Sequence, residues 1–129
     1  MIQKSTTMLY MKDPKAAADF WCQKVGFLLI EETPMGETRS YQIAPSLDAS
    51  FSFGIHNQQL IAAQNPELNL GFPSLLLETD DLQSTHAKLT KAGVKTNPIM
   101  DFQGMVHFTF VDTENHYIAV RQAPTKKEN

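Results

Sequence analysis

Short runs of alternating apolar and polar residues fill this chain, interrupted twice by helical spacing. The first run, 6-TTMLYM-11, reads as a strand. Asp13 suits a helix N-cap, and Pro14 suits the first helical position, where a missing N–H costs nothing. Ala17, Phe20, Trp21, Lys24 and Val25 then recur at three-to-four spacing, which predicts an amphipathic helix, and Gly26 suits the left-handed position that ends it. Extended segments follow at 27-FLLIEE-32, 38-TRSYQIA-44 and 49-ASFSFGIH-56, the first two joined through the turn-forming 33-TPMG-36. In the third, Phe51, Phe53 and Ile55 alternate with Ser50, Ser52, Gly54 and His56, as in a strand with one packed face and one different face.

The same order then begins again. After 57-NQQLIAAQNPELNLGF-72, a stretch without periodicity that reads as a connector, a strand at 74-SLLLET-79 leads to Asp81 as N-cap. Leu82, Thr85, Leu89 and Ala92 give a second amphipathic helix closed by Gly93, and extended runs follow at 94-VKTNPIMDF-102, 105-MVHFTFVD-112 and 116-HYIAVRQ-122. Leu9 and Asp13 match Leu77 and Asp81 at an offset of 68 residues, whereas Gly26 matches Gly93 at 67, so one residue is lost within the second helix. The pattern is a duplicated β-α-β-β-β module, about residues 5–56 and 73–122, within one domain spanning 1–129. The predicted class is α+β, with two curved mixed sheets, each covered on one face by its helix and enclosing a cleft with the other.

Composition narrows the function. A chain of 129 residues buries about two-thirds of its unfolded surface. With 42% apolar and 19% charged residues it has an ordinary globular balance. The net charge of −3 is interspersed and offers no basic face for phosphate, so nucleic acid is not an expected partner. The one charge run, 124-PTKKEN-129, reads as a frayed terminus. Cys22 alone excludes an internal disulfide and thiolate metal clusters. No apolar run approaches the roughly 18–20 residues that span a bilayer, and 1-MIQKSTTML-9 lacks a secretory core. A cytoplasmic address without membrane attachment follows as the expectation.

Metal or acid–base chemistry would need converging side chains, and the sequence has no HxH, HxxxH or HExxH pair. His86 reads as a helix residue on or near the surface and His116 as a loop residue. His56 ends its strand on the side away from the phenylalanines, and His107 alternates with Phe108 and Phe110, so either can face a cleft. Cys22 has no basic neighbour to lower its pKa and reads as structural. Glu31 and Glu32 read as a solvated strand end, and 78-ETDD-81 as helix capping. Of the eight phenylalanines most belong to the core, and any that face a cleft would make it apolar.

The run 9-LYMKDPKAAADFWCQKVGF-27 and the final 110-FVDTENHYIAV-120 resemble the first helix unit and the last hairpin of the glyoxalase/bleomycin-resistance/dioxygenase superfamily, the vicinal oxygen chelate proteins. The resemblance extends over about residues 5–122 and implies two βαβββ modules, commonly completed in a homodimer around a pocket. The family's metal enzymes place ligands on the first, fourth, fifth and eighth strands. By spacing, those positions fall here on Thr6, Ser52, Ser74 and Ala119, none a usual ligand, which argues against a metal and against metal-dependent lyase or dioxygenase activity. Small groups there leave volume, lined by Met8, Tyr10, Leu76, Glu78, Tyr117 and Arg121 on the same strands. The resemblance thus implies a small organic ligand, aromatic or amphiphilic, bound without metal or other cofactor, as the metal-free bleomycin-resistance proteins bind theirs. Two alternatives stay open: an enzyme of the family (lyase, isomerase or dioxygenase) with a non-standard site involving His56 and His107, and an interaction module whose cleft is filled.

Overall fold

The computed structural model describes residues 1–124. The expectation for the charged tail therefore falls, Pro124 apart, outside the described residues. The chain divides into two compact units, one from Met1 to Pro73 and one from Ser74 onward.

The first unit contains β1 (Ser5–Met11), helix α1 (Pro14–Phe20), β2 (Leu28–Met35), β3 (Thr38–Ala44), β4 (Phe51–Asn57) and helix α2 (Gln58–Gln64). Its sheet has the order β1-β4-β3-β2, with β1 parallel to β4 and the other pairs antiparallel. Asp13 starts α1 by accepting a hydrogen bond from the Ala16 N–H, and Pro14 occupies the first turn. The helix continues into a π-helical turn, Trp21–Val25, in which the Gly26 N–H reaches back to the Trp21 carbonyl. A π-turn holds one residue more than an α-turn over the same rise. The unequal offsets of the two helices are thus an extra residue absorbed here in the first. Gly26 ends the helix at φ 93°, a left-handed conformation that strains residues with a Cβ.

The helix buries Ala17, Ala18, Phe20 and Trp21, and the sheet buries Leu9, Met11, Ile43, Phe53 and Ile55. Trp21 is the hub, with ring centroids 5.0 Å from Phe27 and 5.2 Å from Phe53, tilted or edge-on as the ring quadrupoles prefer. Each of these large side chains contributes about 1.5–3 kcal/mol by leaving water. Because alternate residues of each strand are committed to this core, their neighbours Thr6, Met8, Ser52, Gly54 and His56 stand on the opposite face.

The second unit repeats the plan: β5 (Leu76–Thr79), helix α3 (Leu82–Lys91), β6 (Met100–Phe102), β7 (Met105–Val111) and β8 (Tyr117–Gln122), in the order β5-β8-β7-β6. Asp81 caps α3 through the Ser84 N–H. Leu82 and Leu89 are buried on the helix side, with Phe108, Phe110, Ile118 and Val120 on the sheet side.

Three stretches differ from the sequence reading. Strand β2 continues through Thr33–Met35, paired with β3, so the turn falls at Gly36 and Glu37 rather than over 33–36. The connector contains helix α2, started by the Asn57 side chain, which accepts from the Leu60 N–H. None of its residues is buried, so it has no apolar stripe for a periodicity search to find. The extended run 94–102 is a strand only at Met100–Phe102, with one isolated bridge from Thr96 to Phe110. Pro98, lacking an N–H, falls between them and cannot continue the ladder.

Candidate functional site

The open face of the first sheet holds a hollow of about 240 Å³. Thr6 and Met8 of β1 line it beside Gly54 and His56 of β4, and β3 contributes Ser40 and Gln42. The edge strand β2 adds Glu31 and Thr33. Glu31 reaches this face through a bulge. Leu29 lies opposite Ile43 and Glu31 opposite Gln42, so Ile30 is the extra residue. The bulge turns Glu31 to the side of Gln42, where regular alternation would have sent it to the helix side. A smaller hollow of about 170 Å³, bordered by Ile30, Leu47, Phe51 and Ser52, adjoins at Thr6 and Gln42.

Two hydrogen-bonded groups organise the surface. In one, the hydroxyls of Thr6 and Ser52 lie 2.8 Å apart, and the Gln42 Nε2 donates to the Ser52 Oγ at 3.1 Å. In the other, the Ser40 Oγ lies 2.8 Å from the His56 Nδ1, while the His56 Nε2 lies 3.2 Å from the Met8 sulfur. Burial pushes the His56 imidazole below its ordinary pKa, favouring the neutral ring. The Tyr10 ring centroid is 6.2 Å from that of His56. Gly54 has no side chain, and the Met8 sulfur and His56 ring fill the space over it: a Cβ there would lie 2.9 Å from the Met8 sulfur and 3.2 Å from the His56 Nε2.

The structure therefore brings Thr6, Met8, Tyr10, Ser52 and His56 onto one face. The remaining candidates belong to the second unit. There Leu76 pairs with Ala119, Glu78 with Arg121, and His107 with Arg121 across the neighbouring strand. The Arg121 Nε donates to the Glu78 carboxylate at 2.9 Å, and its Nη2 makes a second contact to the same oxygen. Tyr117 is exposed, Ser74 lies two residues before β5, and the His107 Nδ1 is 3.1 Å from the Met105 carbonyl oxygen. Ser40, Gln42, Gly54, Glu31 and Thr33 were not among the sequence candidates. Strand alternation alone would have flagged Gly54 and, from the register of β3, Gln42; nothing local marks the bulge that turns Glu31.

His86 and His116 serve the framework. The His86 Nε2 is 2.9 Å from the Asn97 carbonyl oxygen, and its ring meets Phe108 edge-on. His116, expected to be a solvated loop residue, is half-buried, its Nδ1 lying 2.8 Å from Asp112 Oδ2. Asp112 also accepts from the N–H groups of Glu114 and His116, which holds the β7–β8 turn. Burial pushes the Cys22 thiol up, away from the reactive thiolate.

A family-type metal ion does not fit these residues. Thr6 and Ser52 are neutral hydroxyls already bonded to one another, and Ala119 offers a methyl group. Register sharpens the point. Met8 faces Gly54 as Leu76 faces Ala119, so the first unit's counterpart of Ala119 is Gly54, two residues beyond Ser52, and it has no side chain. Among the described residues no group of three or more His, Cys, Asp or Glu side chains stands together as a ligand set.

Comparison with known proteins places this architecture. A curated relative, the uncharacterized protein YetH of Bacillus subtilis (strain 168), is 28% identical over 94 residues, which span 72% of this chain and 74% of YetH. Among solved structures, TnmS3, an antibiotic binding protein from Streptomyces sp. CB03234, superposes with a TM-score of 0.75 at 24% identity, covering 96% of both chains. A superfamily member from Sphaerobacter thermophilus DSM 20745 reaches 0.76 at 16% identity, covering 95% of this chain and 98% of its own. At such identities the superpositions speak for the fold alone. The model of the Glyoxalase/Bleomycin resistance protein/Dioxygenase superfamily matches residues 5–120, and the chain belongs to that superfamily.

Proposed function

We propose that this protein binds a small aromatic or amphiphilic organic molecule without a metal ion, using the open face of the first sheet. The observation that carries the reading is the hollow beside Gly54, lined by hydrogen-bonded neutral side chains and roofed at that glycine only by the flexible Met8 thioether. A concave surface with apolar patches and a few oriented polar groups is the usual form of a small-molecule site. TnmS3, which shares the fold, is an antibiotic binding protein, and that lends the reading a concrete analogue. The open face of the second unit, with Arg121 held by Glu78 beside His107, Leu76, Ala119, Ser74 and Tyr117, belongs to the proposal as a second contact surface.

The proposal includes a homodimer in the cytoplasm. Exposed Leu28 and Leu29 on edge strand β2, and Met100 and Phe102 on edge strand β6, support assembly, because edge strands bearing apolar side chains are normally covered. No helix among the described residues is long and apolar enough to cross a membrane.

The test is a thermal-shift panel of aromatic and amphiphilic compounds, run with and without chelator, alongside metal analysis and light scattering. A ligand that binds only the folded state raises the melting temperature with concentration. The expected result is such a shift, insensitive to chelator, in a dimer free of stoichiometric metal. A panel that moves nothing sinks the binding reading, and one metal ion per chain revives the enzyme.

A further inference from the structure

We infer that the ligand is an uncharged, flat ring system carrying a hydrogen-bond acceptor, which lies over Gly54 and accepts a hydrogen bond from the His56 Nε2–H after displacing the Met8 thioether. The inference rests on the binding reading and names the chemistry at the centre of that site.

The tautomer of His56 comes first. Its Nε2 faces the Met8 sulfur at 3.2 Å, and a thioether has lone pairs but no proton to give. A bare ring nitrogen there would set lone pair against lone pair, so the contact assigns the proton to Nε2. The Nδ1 then carries the lone pair and accepts from the Ser40 hydroxyl at 2.8 Å. Burial of the imidazole works in the same direction by favouring its uncharged form. His56 thus offers one N–H to the hollow, and that N–H is engaged by one of the weakest acceptors in proteins.

Met8 is the group that yields. It is 45% exposed, and its unbranched side chain changes rotamer at little cost. Its sulfur occupies the space directly above Gly54, only 2.9 Å from where a Cβ would stand. An oxygen or ring-nitrogen acceptor makes a stronger bond to the Nε2 proton than sulfur does, so exchange of the thioether for such a group is favourable. Once Met8 swings out, the strand at Gly54 presents peptide without a side chain, with the Thr6 methyl beside it. A planar ring can lie flat against that side-chain-free stretch of strand, with its face on the peptide and the Thr6 methyl. The groups around this floor (Thr6, Ser40, Gln42 and His56) are neutral, which excludes a formal charge on the ligand at this depth. Glu31, the one carboxylate of the lining, is solvent-exposed on the edge strand, where water screens it.

Isoquinoline, naphthalene and N-methylisoquinolinium separate these features, since they share a flat bicycle and differ in acceptor and charge. The free protein, examined by nitrogen-15 NMR of its histidine rings, is expected to show His56 as the neutral Nε2–H tautomer. Isoquinoline is expected to bind about tenfold more tightly than naphthalene, the effect of one hydrogen bond of ordinary strength. His56→Phe should erase that preference, Met8→Ala should tighten both neutral rings severalfold, and Gly54→Ala should weaken both in a protein of unchanged circular dichroism. An Nδ1–H tautomer in the wild-type protein, which needs no variant to detect, overturns the inference. So does equal binding of the neutral rings, a preference that survives His56→Phe, or tighter binding of the cation. If neither neutral ring binds while another compound of the wider panel raises the melting temperature, this inference falls and the binding reading stands. A melting temperature unmoved by every compound overturns both.

Discussion

At matching positions of the two units, Tyr10 pairs with His56 in the first and Glu78 with Arg121 in the second. Met8 and Gly54 stand where Leu76 and Ala119 do. The backbone arrangement is the same, a parallel pair at one edge of a four-stranded sheet, yet one pair is an aromatic ring beside a neutral imidazole and the other an ion pair. Both members differ between the units, and in each the register makes the two side chains neighbours. The two units thus share a sheet face that packs on a helix and differ pair by pair on the open face.

The cores can be set against each other most forcefully. Trp21 is the largest fully buried side chain of the first unit, and the second has no tryptophan. Trp21→Ala is expected to cost about 4 kcal/mol, measured by denaturant unfolding, with amide protection lost mainly within residues 1–73. Equal loss of protection in both units would break the picture of two separate cores.

Asp112→Ala probes the second unit in turn. Its carboxylate, 1% exposed, accepts from two backbone N–H groups and lies against the His116 ring. Leaving those donors without their acceptor should cost about 3 kcal/mol, read from the same unfolding curves, with the largest protection loss at the β7–β8 turn.

A smaller effect separates the open faces by pH. The folded state holds the His56 pKa below its ordinary 6.5, so between the two values the unfolded chain binds more protons. Stability contributed by the neutral ring is therefore present above about 6.5 and declines as pH falls through that value toward the lowered one. Melting temperatures between pH 5 and 8 should show this slope, and His56→Phe should flatten it. The smallest effect belongs to the ion pair: Glu78→Gln, at an exposed carboxylate, should cost about 0.5 kcal/mol or less and vanish in high salt.

Much of the framework was legible in the chain itself. Asp13 and Asp81, Gly26 and Gly93, and the alternation around Phe53 and Phe108 are local signals, and they marked two copies of one module. His56 emerged as a candidate because strand alternation sets it on the side away from Phe51 and Phe53, and Met8 because it shares a face with Thr6, where the family resemblance puts a ligand position. Ser40 did not, since its meaning lies in a bond to a residue sixteen positions away that only the antiparallel register of β3 and β4 creates. Helix α2 escaped because a helix without a buried face leaves no apolar rhythm.

The sequence by itself thus determined most of the order of elements and their caps, which depend on neighbours within a few positions, and, through the recurrence of that order along the chain, the repeated module and the superfamily. Only the tertiary structure decided that the extra residue of the first helix becomes a π-turn, that a bulge turns Glu31 to the open face, and that Met8 lies over Gly54 against His56. The physical reason is that such contacts are set by strand register and side-chain packing between residues far apart in the chain, where a shift of one position exchanges one face for the other.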